Sequence, residues 1–217
     1  MKITVLGTGI VGQTIASKLI ETGHEVMMGS RSKTNEKALA FVAKHPMNAH
    51  AGTFAEAAAF GAIVFNCTLG AASIEVLSQA GADNLKGKVL IDVSNPLDFS
   101  KGMPPVLTVC NNNSLAEEIQ KAFPDVKVVK TLNTMNCSVM VNPKLVNGGD
   151  HQVFIGGNDV SAKEQVTGLL NEFGWNNQSI IDLGDITSAR GTEMYLPLWL
   201  RIYGSLKTGT FNIKVVR

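Results

Sequence analysis

Met1-Lys2-Ile3-Thr4-Val5-Leu6 runs directly into Gly7-Thr8-Gly9-Ile10-Val11-Gly12, and the residues up to Thr22 set Ile10, Val11, Ile15, Leu19 and Ile20 on one stripe before Gly23. Ile3 to Leu6 is an apolar run of strand length, whereas the spacing from Gly9 onward has the period of an amphipathic helix. A glycine-x-glycine-x-x-glycine pattern carries little information alone. Set between a strand and a helix it has a mechanism. Gly7 permits a tight turn, Gly9 lets a diphosphate approach the backbone, and Gly12 lets helix pack on strand. The first N–H groups of the helix and the positive end of its dipole then face the phosphates. Thr8, Ile10 and Val11 fall within the same stretch and are counted with the glycines as dinucleotide-binding.

The same alternation continues along the chain. Further strands are expected at Glu25 to Met28, Ile63 to Asn66, Val89 to Val93, Val126 to Val129, Val153 to Ile155 and Ile180 to Leu183. Helical patterns lie around Ser73 to Ala80, Leu115 to Phe123 and Ala162 to Phe173. Strands alternating with helices form βαβ units, and strands that are apolar throughout are covered on both faces. The expected fold is therefore α/β: a Rossmann-type, doubly wound, mostly parallel sheet with helices on both faces. Asn111-Asn112-Asn113 reads as a loop feeding a helix capped by Ser114, with Glu117 in capping-box position. Thr187 to Leu206 reads as one long C-terminal helix kinked by Pro197, and Thr210 to Val216 as a short strand or tail. No linker divides the chain, so residues 1–217 are read as one domain whose helical extension occupies about 185–217.

The end of the second strand selects the dinucleotide. An NAD site places Asp or Glu there for the ribose 2′-hydroxyl. Here the strand runs into Gly29-Ser30-Arg31, with Lys33 and Lys37 close by, and Glu25 lies at its opposite end. A hydroxyl and a guanidinium suit a 2′-phosphate, so NADP is the expected cofactor, bound through Ser30, Arg31 and Lys33. Ligands of such sheets lie beyond the carboxyl ends of the strands. That rule puts Thr68 and Leu69 beside the pyrophosphate and ribose, and Asn95 and the Asn133 loop beside the nicotinamide.

Composition narrows the alternatives. Hydrophobic residues make up 45% of 217, charged residues 17%, and the formal net charge is +1. Such a chain builds a large core and presents no dominant field to nucleic acid or a membrane surface. The N-terminal apolar run is too short for a signal peptide and no stretch reaches the roughly 18 apolar residues of a membrane span, so a cytoplasmic protein is expected. Cys67, Cys110 and Cys137, and His24, His45, His50 and His151, lack metal-ligand spacing; the cysteines read as small apolar residues in a reducing compartment and the histidines as surface or loop residues.

The pattern resembles the F420-dependent NADP oxidoreductases and their bacterial relatives, and with them the cytosolic domain of the STEAP metalloreductases. The resemblance rests on Met1-Lys2-Ile3 entering the glycine motif, Gly23-His24-Glu25-Val26 before Gly29-Ser30-Arg31, the Asn133-Thr134 loop, and the closing stretch from Ala189-Arg190 to Pro197 and from Gly209 to Val216. It implies hydride exchange between NADP and a flavin or F420-like deazaflavin. It further implies that Gly7 to Gly12, Ser30 and Arg31 hold NADP, and that backbone near Cys137 touches the carboxamide. Such chemistry needs ring positioning more than acid–base catalysis, which makes Asn133 a positioning residue. Where the F420 enzymes share a His-Thr-Ile-Pro loop, this chain reads Asn133-Thr134-Met135-Asn136, closer to the STEAP-like version. A STEAP-like flavin-linked reductase of metal or quinone acceptors and a non-catalytic NADP(H)-sensing protein stay open beside the first reading. Pyrroline-carboxylate reductases and β-hydroxyacid dehydrogenases share the motif but need a long helical second domain. The apolar Tyr195, Leu198, Trp199 and Ile202 of the last helix point to a homodimer.

Overall fold

The computed structural model describes residues 1–216. In chain order the elements are β1 (Lys2–Leu6), α1 (Ile10–Glu21), β2 (Glu25–Ser30), α2 (Glu36–Lys44), β3 (Ala49–Thr53), α3 (Phe54–Phe60), β4 (Ile63–Asn66), α4 (Ser73–Ala80), α5 (Ala82–Leu85) and β5 (Val89–Asp92). There follow β6 (Leu97–Asp98), β7 (Val106–Leu107), α6 (Leu115–Ala122), β8 (Lys127–Thr131), α7 (Cys137–Val141), β9 (Val153–Gly157), α8 (Val160–Glu172), β10 (Ile180–Asp182), α9 (Ala189–Met194) and α10 (Leu196–Leu206). Eight strands form one sheet in the order β10-β9-β8-β5-β4-β1-β2-β3, and β6 pairs with β7 in a small hairpin. All neighbours in the large sheet are parallel except β8 and β9. The chain moves outward from β1 to β3, then crosses back to β4, so the order reverses between β1 and β4. Ligands of doubly wound sheets bind at that reversal.

Each apolar strand feeds two cores, because successive side chains point to opposite faces. Ile3, Val5, Ile63, Phe65, Val89, Ile91 and Val129 join one core with residues of α1, α7 and α8. Leu6, Val64, Leu90 and Val128 join the other with α3, α4 and α6. The doubly wound expectation holds in the main, and the structure adds elements that periodicity did not reveal. β3 reads Ala-His-Ala-Gly-Thr, without an apolar run, and exists because its backbone completes the edge beside β2. α3 follows from a capping box that Thr53 and Glu56 announce in sequence.

Two expectations are corrected. His24 and His151 are not surface residues: they are 5% and 2% exposed. His24 contacts Glu172 at 2.6 Å, while His151 lies between the Pro143 carbonyl at 2.8 Å and the Asn212 amide at 2.7 Å. The closing helix is two helices, α9 and α10, that join at Tyr195. Pro197 has no N–H to return to the Glu193 carbonyl, so the ladder is interrupted there. Of the strand or tail expected at Thr210 to Val216, the structure has the tail, fastened by Gln152 N–H donating to the Ile213 carbonyl and Val215 N–H donating to Gln152 Oε1. Ser114 caps α6 as expected, accepting from Glu117 N–H at 3.2 Å.

Candidate functional site

The loop from β1 to α1 opens onto a cleft of about 510 Å³ at the strand-order reversal. Its chemistry follows from three glycines. Gly7 has φ of +111°, and a Cβ there would sit 2.7 Å from the Cys67 carbonyl oxygen. A Cβ at Gly12 would land well inside contact distance of the Gly7 carbonyl oxygen. A Cβ at Gly9 would meet no protein atom within 4 Å, so that glycine borders open space. α1 starts at Gly9 without a side-chain cap and with no acidic residue in its first turn. α2, α3, α6 and α8 are instead capped by Asn35, Thr53, Ser114 and Asp159. An uncapped start on a twelve-residue helix leaves N–H donors and the positive dipole end for an anion, which fits a dinucleotide pyrophosphate.

Gly7, Thr8, Gly9, Ile10 and Val11 line the cleft on one side; Ser30 and Arg31 line its far end, with Asn35 and Phe54. Ser30 donates to the Ser32 carbonyl at 2.6 Å, which shapes the turn that presents the exposed Arg31. No carboxylate ends β2: Glu25 is at its start, 2.7 Å from His50. Lys33 does not line the cleft. Its charge acts on Glu56, whose carboxyl is held below its usual range chiefly by the Thr53 N–H and hydroxyl. The opposite wall, Ala72, Glu75, Val76 and Gln79 of the α4 region, was not anticipated from sequence. Those positions read as an ordinary amphipathic helix, and only the crossing from β4 brings them to the site.

Cys67, Thr68 and Leu69 border both this cleft and an adjoining hollow of about 230 Å³, closed by Val93, Ser94, Asn95, Leu97 and Phe99. Thr68 N–H and Oγ1 both donate to Asn66 Oδ1, at 3.3 and 2.6 Å, so its polar hydrogens turn inward rather than toward a ligand. Gly70 is pressed on the Asn95 carbonyl, where a Cβ has no room. Asn133 is 3% exposed and lies behind the hollow. Its amide donates to Asn95 Oδ1 at 2.9 Å and its carbonyl accepts from Asn95 Nδ2 at 2.9 Å. The Asn133 side chain therefore orients Asn95 instead of lining the space. Cys137 opens α7, buried, beyond the lining of both spaces.

The Cys67 thiol is pushed far above its ordinary range by burial, with Asp92 adding to the effect. It is thus a neutral wall, not a nucleophile. Among the described residues no group of His, Cys, Asp and Glu is arranged to hold a metal, and no helix is long and apolar enough to cross a membrane.

Comparison with known proteins agrees with this geometry. A family described as NADP oxidoreductase, coenzyme F420-dependent, matches residues 2–96, the stretch from β1 to just beyond β5. The F420-dependent NADP reductase of Methanothermobacter marburgensis is 26% identical over 211 residues, covering 93% of this chain and 92% of that protein. Metalloreductase STEAP3 of Rattus norvegicus is 28% identical over 203 residues, covering 91% of this chain but 38% of that longer protein. A crystal structure of a candidate F420-dependent NADP-reductase from Arthrobacter sp. FB24 has a TM-score of 0.94 at 52% identity, covering all of both chains.

Proposed function

Because this chain belongs to the F420-dependent NADP oxidoreductase family and is thereby an NADP-dependent oxidoreductase, we propose that it exchanges hydride directly between NADP(H) and a flavin or F420-like deazaflavin. The observation that carries this reading is a continuous path. A phosphate-ready cleft with Arg31 at one end leads past the glycine loop into an apolar hollow walled by Val11, Val93, Leu97 and Phe99, with the Asn95 amide at its side. Such walls suit a flat ring held face to face with a nicotinamide. Bound NADPH supplies the hydride. The protein's part is to bind the phosphates at Gly7 to Gly12, to hold the 2′-phosphate at Ser30 and Arg31, and to keep water from the hollow. Phe99 is 51% and Leu69 75% exposed at its mouth, apolar surface that an acceptor ring would cover.

The test is NADPH oxidation, followed optically, with F420, FMN, FAD, quinones and ferric chelates as acceptors. Turnover with F420 or free flavin is expected. Turnover only with ferric chelates or quinones on added flavin would move the reading to a STEAP-like reductase, and NADPH binding without turnover would make the protein a sensor. The Asn133-Thr134 loop, which departs from the F420 pattern, is what keeps flavin beside F420. With an active acceptor, single-turnover hydride transfer should show no steep bell in its pH profile, since no protein pair has to hold opposite protonation states. A sharp bell would expose an acid–base catalyst.

NADPH should bind far more tightly than NADH because of Arg31. A charge-assisted hydrogen bond to phosphate contributes roughly 1.5–3 kcal/mol, so Arg31→Ala should weaken NADPH about ten- to hundredfold and leave NADH nearly unchanged. Titration of both cofactors decides it, and equal losses would reassign the pocket.

The assembly proposed is a homodimer through α10. Of its eleven residues Leu196 alone is buried, Arg201 is its single charge, and Leu198, Tyr203 and Leu206 are 57%, 45% and 55% exposed. Trp199 stacks on Tyr203 and Phe211, and its buried indole N–H has no acceptor among the described residues. A face so poor in charge is complementary to another like itself, hence to a second copy. Sedimentation should give a dimer at micromolar concentration; a monomer removes this part of the proposal.

A further inference from the structure

Asn66, Asp92 and Lys130 are direct neighbours across β4, β5 and β8, near the carboxyl ends where the hollow begins. They interrupt the apolar layer that Val64, Leu90 and Val128 build two residues earlier on each strand. Lys130 is 2% exposed and all three donors of its ammonium are used: on Asp92 Oδ2 at 2.8 Å, on the Ser94 carbonyl at 2.6 Å, and on Glu193 Oε1 at 2.8 Å. Glu193, 1% exposed, arrives from α9 and also accepts from the Leu115 and Ala116 N–H groups at the start of α6, at 2.8 and 3.2 Å. Burial works against the lysine's charge, but Asp92 and then Glu193 outweigh it and hold its pKa above the ordinary value.

The other side of Asp92 faces the site. Its Oδ1 accepts from Asn66 Nδ2 at 2.9 Å and from Ser94 Oγ at 2.6 Å. A carboxylate only accepts, so it forces the Asn66 amide to turn its NH₂ inward and its carbonyl toward Thr68. Thr68 and Ser94 each lie on a loop that borders the hollow. A buried charge in the C-terminal region is thus connected, through the side chains of Lys130, Asp92 and Asn66, to both loops.

We propose that Glu193 is a positioning residue for the nicotinamide half of the dinucleotide, acting through Lys130, Asp92 and Asn66 on the Thr68 and Ser94 loops. The proposal rests on the NADP reading above. Glu193 is singled out because every group that meets it is a donor. Glu193→Gln keeps the volume but must aim an NH₂ at Lys130 or at the start of α6, leaving Lys130 short of a partner. The same helix is tied to α6 by a second pair, Arg190 to Glu117 at 2.5 and 2.9 Å, which does not touch the network. Arg190→Gln therefore loosens α9 without altering Lys130.

The experiment titrates full-length protein with NADPH and with adenosine 2′,5′-bisphosphate, which carries the adenosine and 2′-phosphate but no nicotinamide. The ratio of the two dissociation constants measures what the nicotinamide half adds. Glu193→Gln is expected to lower that ratio about tenfold, the scale of one hydrogen bond's worth of positioning, with the bisphosphate affinity unchanged. Arg190→Gln is expected to leave the ratio as in wild type. Thr68→Val, which removes the hydroxyl donated to Asn66, should reproduce the tenfold fall and serves if Glu193→Gln does not fold. Loss of both ligands in proportion, or a wild-type ratio in Glu193→Gln or Thr68→Val, overturns the positioning role. A wild-type protein that binds neither ligand overturns the NADP reading itself and this inference with it.

Discussion

Gly9→Ala is expected to cost NADPH affinity by a factor of about 10² to 10⁴ while leaving the unfolding midpoint in urea where it was. A Cβ at Gly9 would meet no protein atom within 4 Å, so the fold has no reason to object. The methyl would instead occupy the approach to the uncapped start of α1. Losing two charge-assisted hydrogen bonds to a pyrophosphate, at roughly 1.5–3 kcal/mol each, gives that factor. Gly12→Ala should separate cleanly from it. There the added methyl collides with the backbone carbonyl of Gly7, which cannot swing aside like a side chain. α1 must lift off β1, so affinity and stability fall together, the latter by about 1–3 kcal/mol as for other overpacked sites. Cofactor titration beside urea unfolding reads both. If Gly9→Ala binds NADPH like wild type, the cleft does not hold a pyrophosphate.

The second large effect is on stability. Lys130→Met would leave Asp92 and Glu193 buried together with no cation between them. Removing one partner of a buried ionic cluster typically costs roughly 3–5 kcal/mol, because the remaining charge stays desolvated. At ~2–4 °C per kcal/mol for a chain of this size, Tm should fall by roughly 6–20 °C. The loss should depend on pH with a definite sign. Burial pushes the Glu193 carboxyl above its usual range, with Lys130 pulling it back and Asp92 pushing it further up. Without Lys130 the folded variant therefore takes up a proton that its unfolded chain does not hold at neutral pH. Folding that binds protons is favoured by acid, so the deficit of the variant should shrink from pH 8 toward pH 5 and grow in the other direction. Wild type, whose Lys130 pKa is raised, keeps the full contribution of that lysine below its ordinary value and loses it only in strong alkali. Thermal melts of both proteins across pH test this, and a deficit that stays constant with pH would mean that the two carboxylates are not coupled through Lys130.

Much of the site was legible because its signals are local. Gly7 to Gly12 lie within one turn, the Gly29-Ser30-Arg31 ending follows its own strand, and Ser114 and Glu117 fall three residues apart. Such patterns survive translation into structure, since a turn, a cap or a helix start depends on neighbours in the chain. Lys33 marks the limit of that local reading: close in sequence to Arg31, it is not among the residues that line the cleft. Asn133 in turn is buried and meets Asn95 rather than open space.

The chain alone therefore determined the sheet's two-faced strands, the glycine loop between β1 and α1, and the absence of a carboxylate at the end of β2. Each follows from a period of two or of 3.6, or from one residue's backbone freedom. What only the tertiary structure decided is which strands are neighbours and which residues share a rung. Lys130 in Val128-Val129-Lys130-Thr131 reads as a lone charge in an apolar run, and Glu193 as one acid on an amphipathic helix. That they meet Asp92 and Asn66 in one buried row depends on the order β8-β5-β4 and on the register that sets Asp92 between the other two. A side-chain period states which face a residue occupies, and carries no record of the strand that will lie beside it.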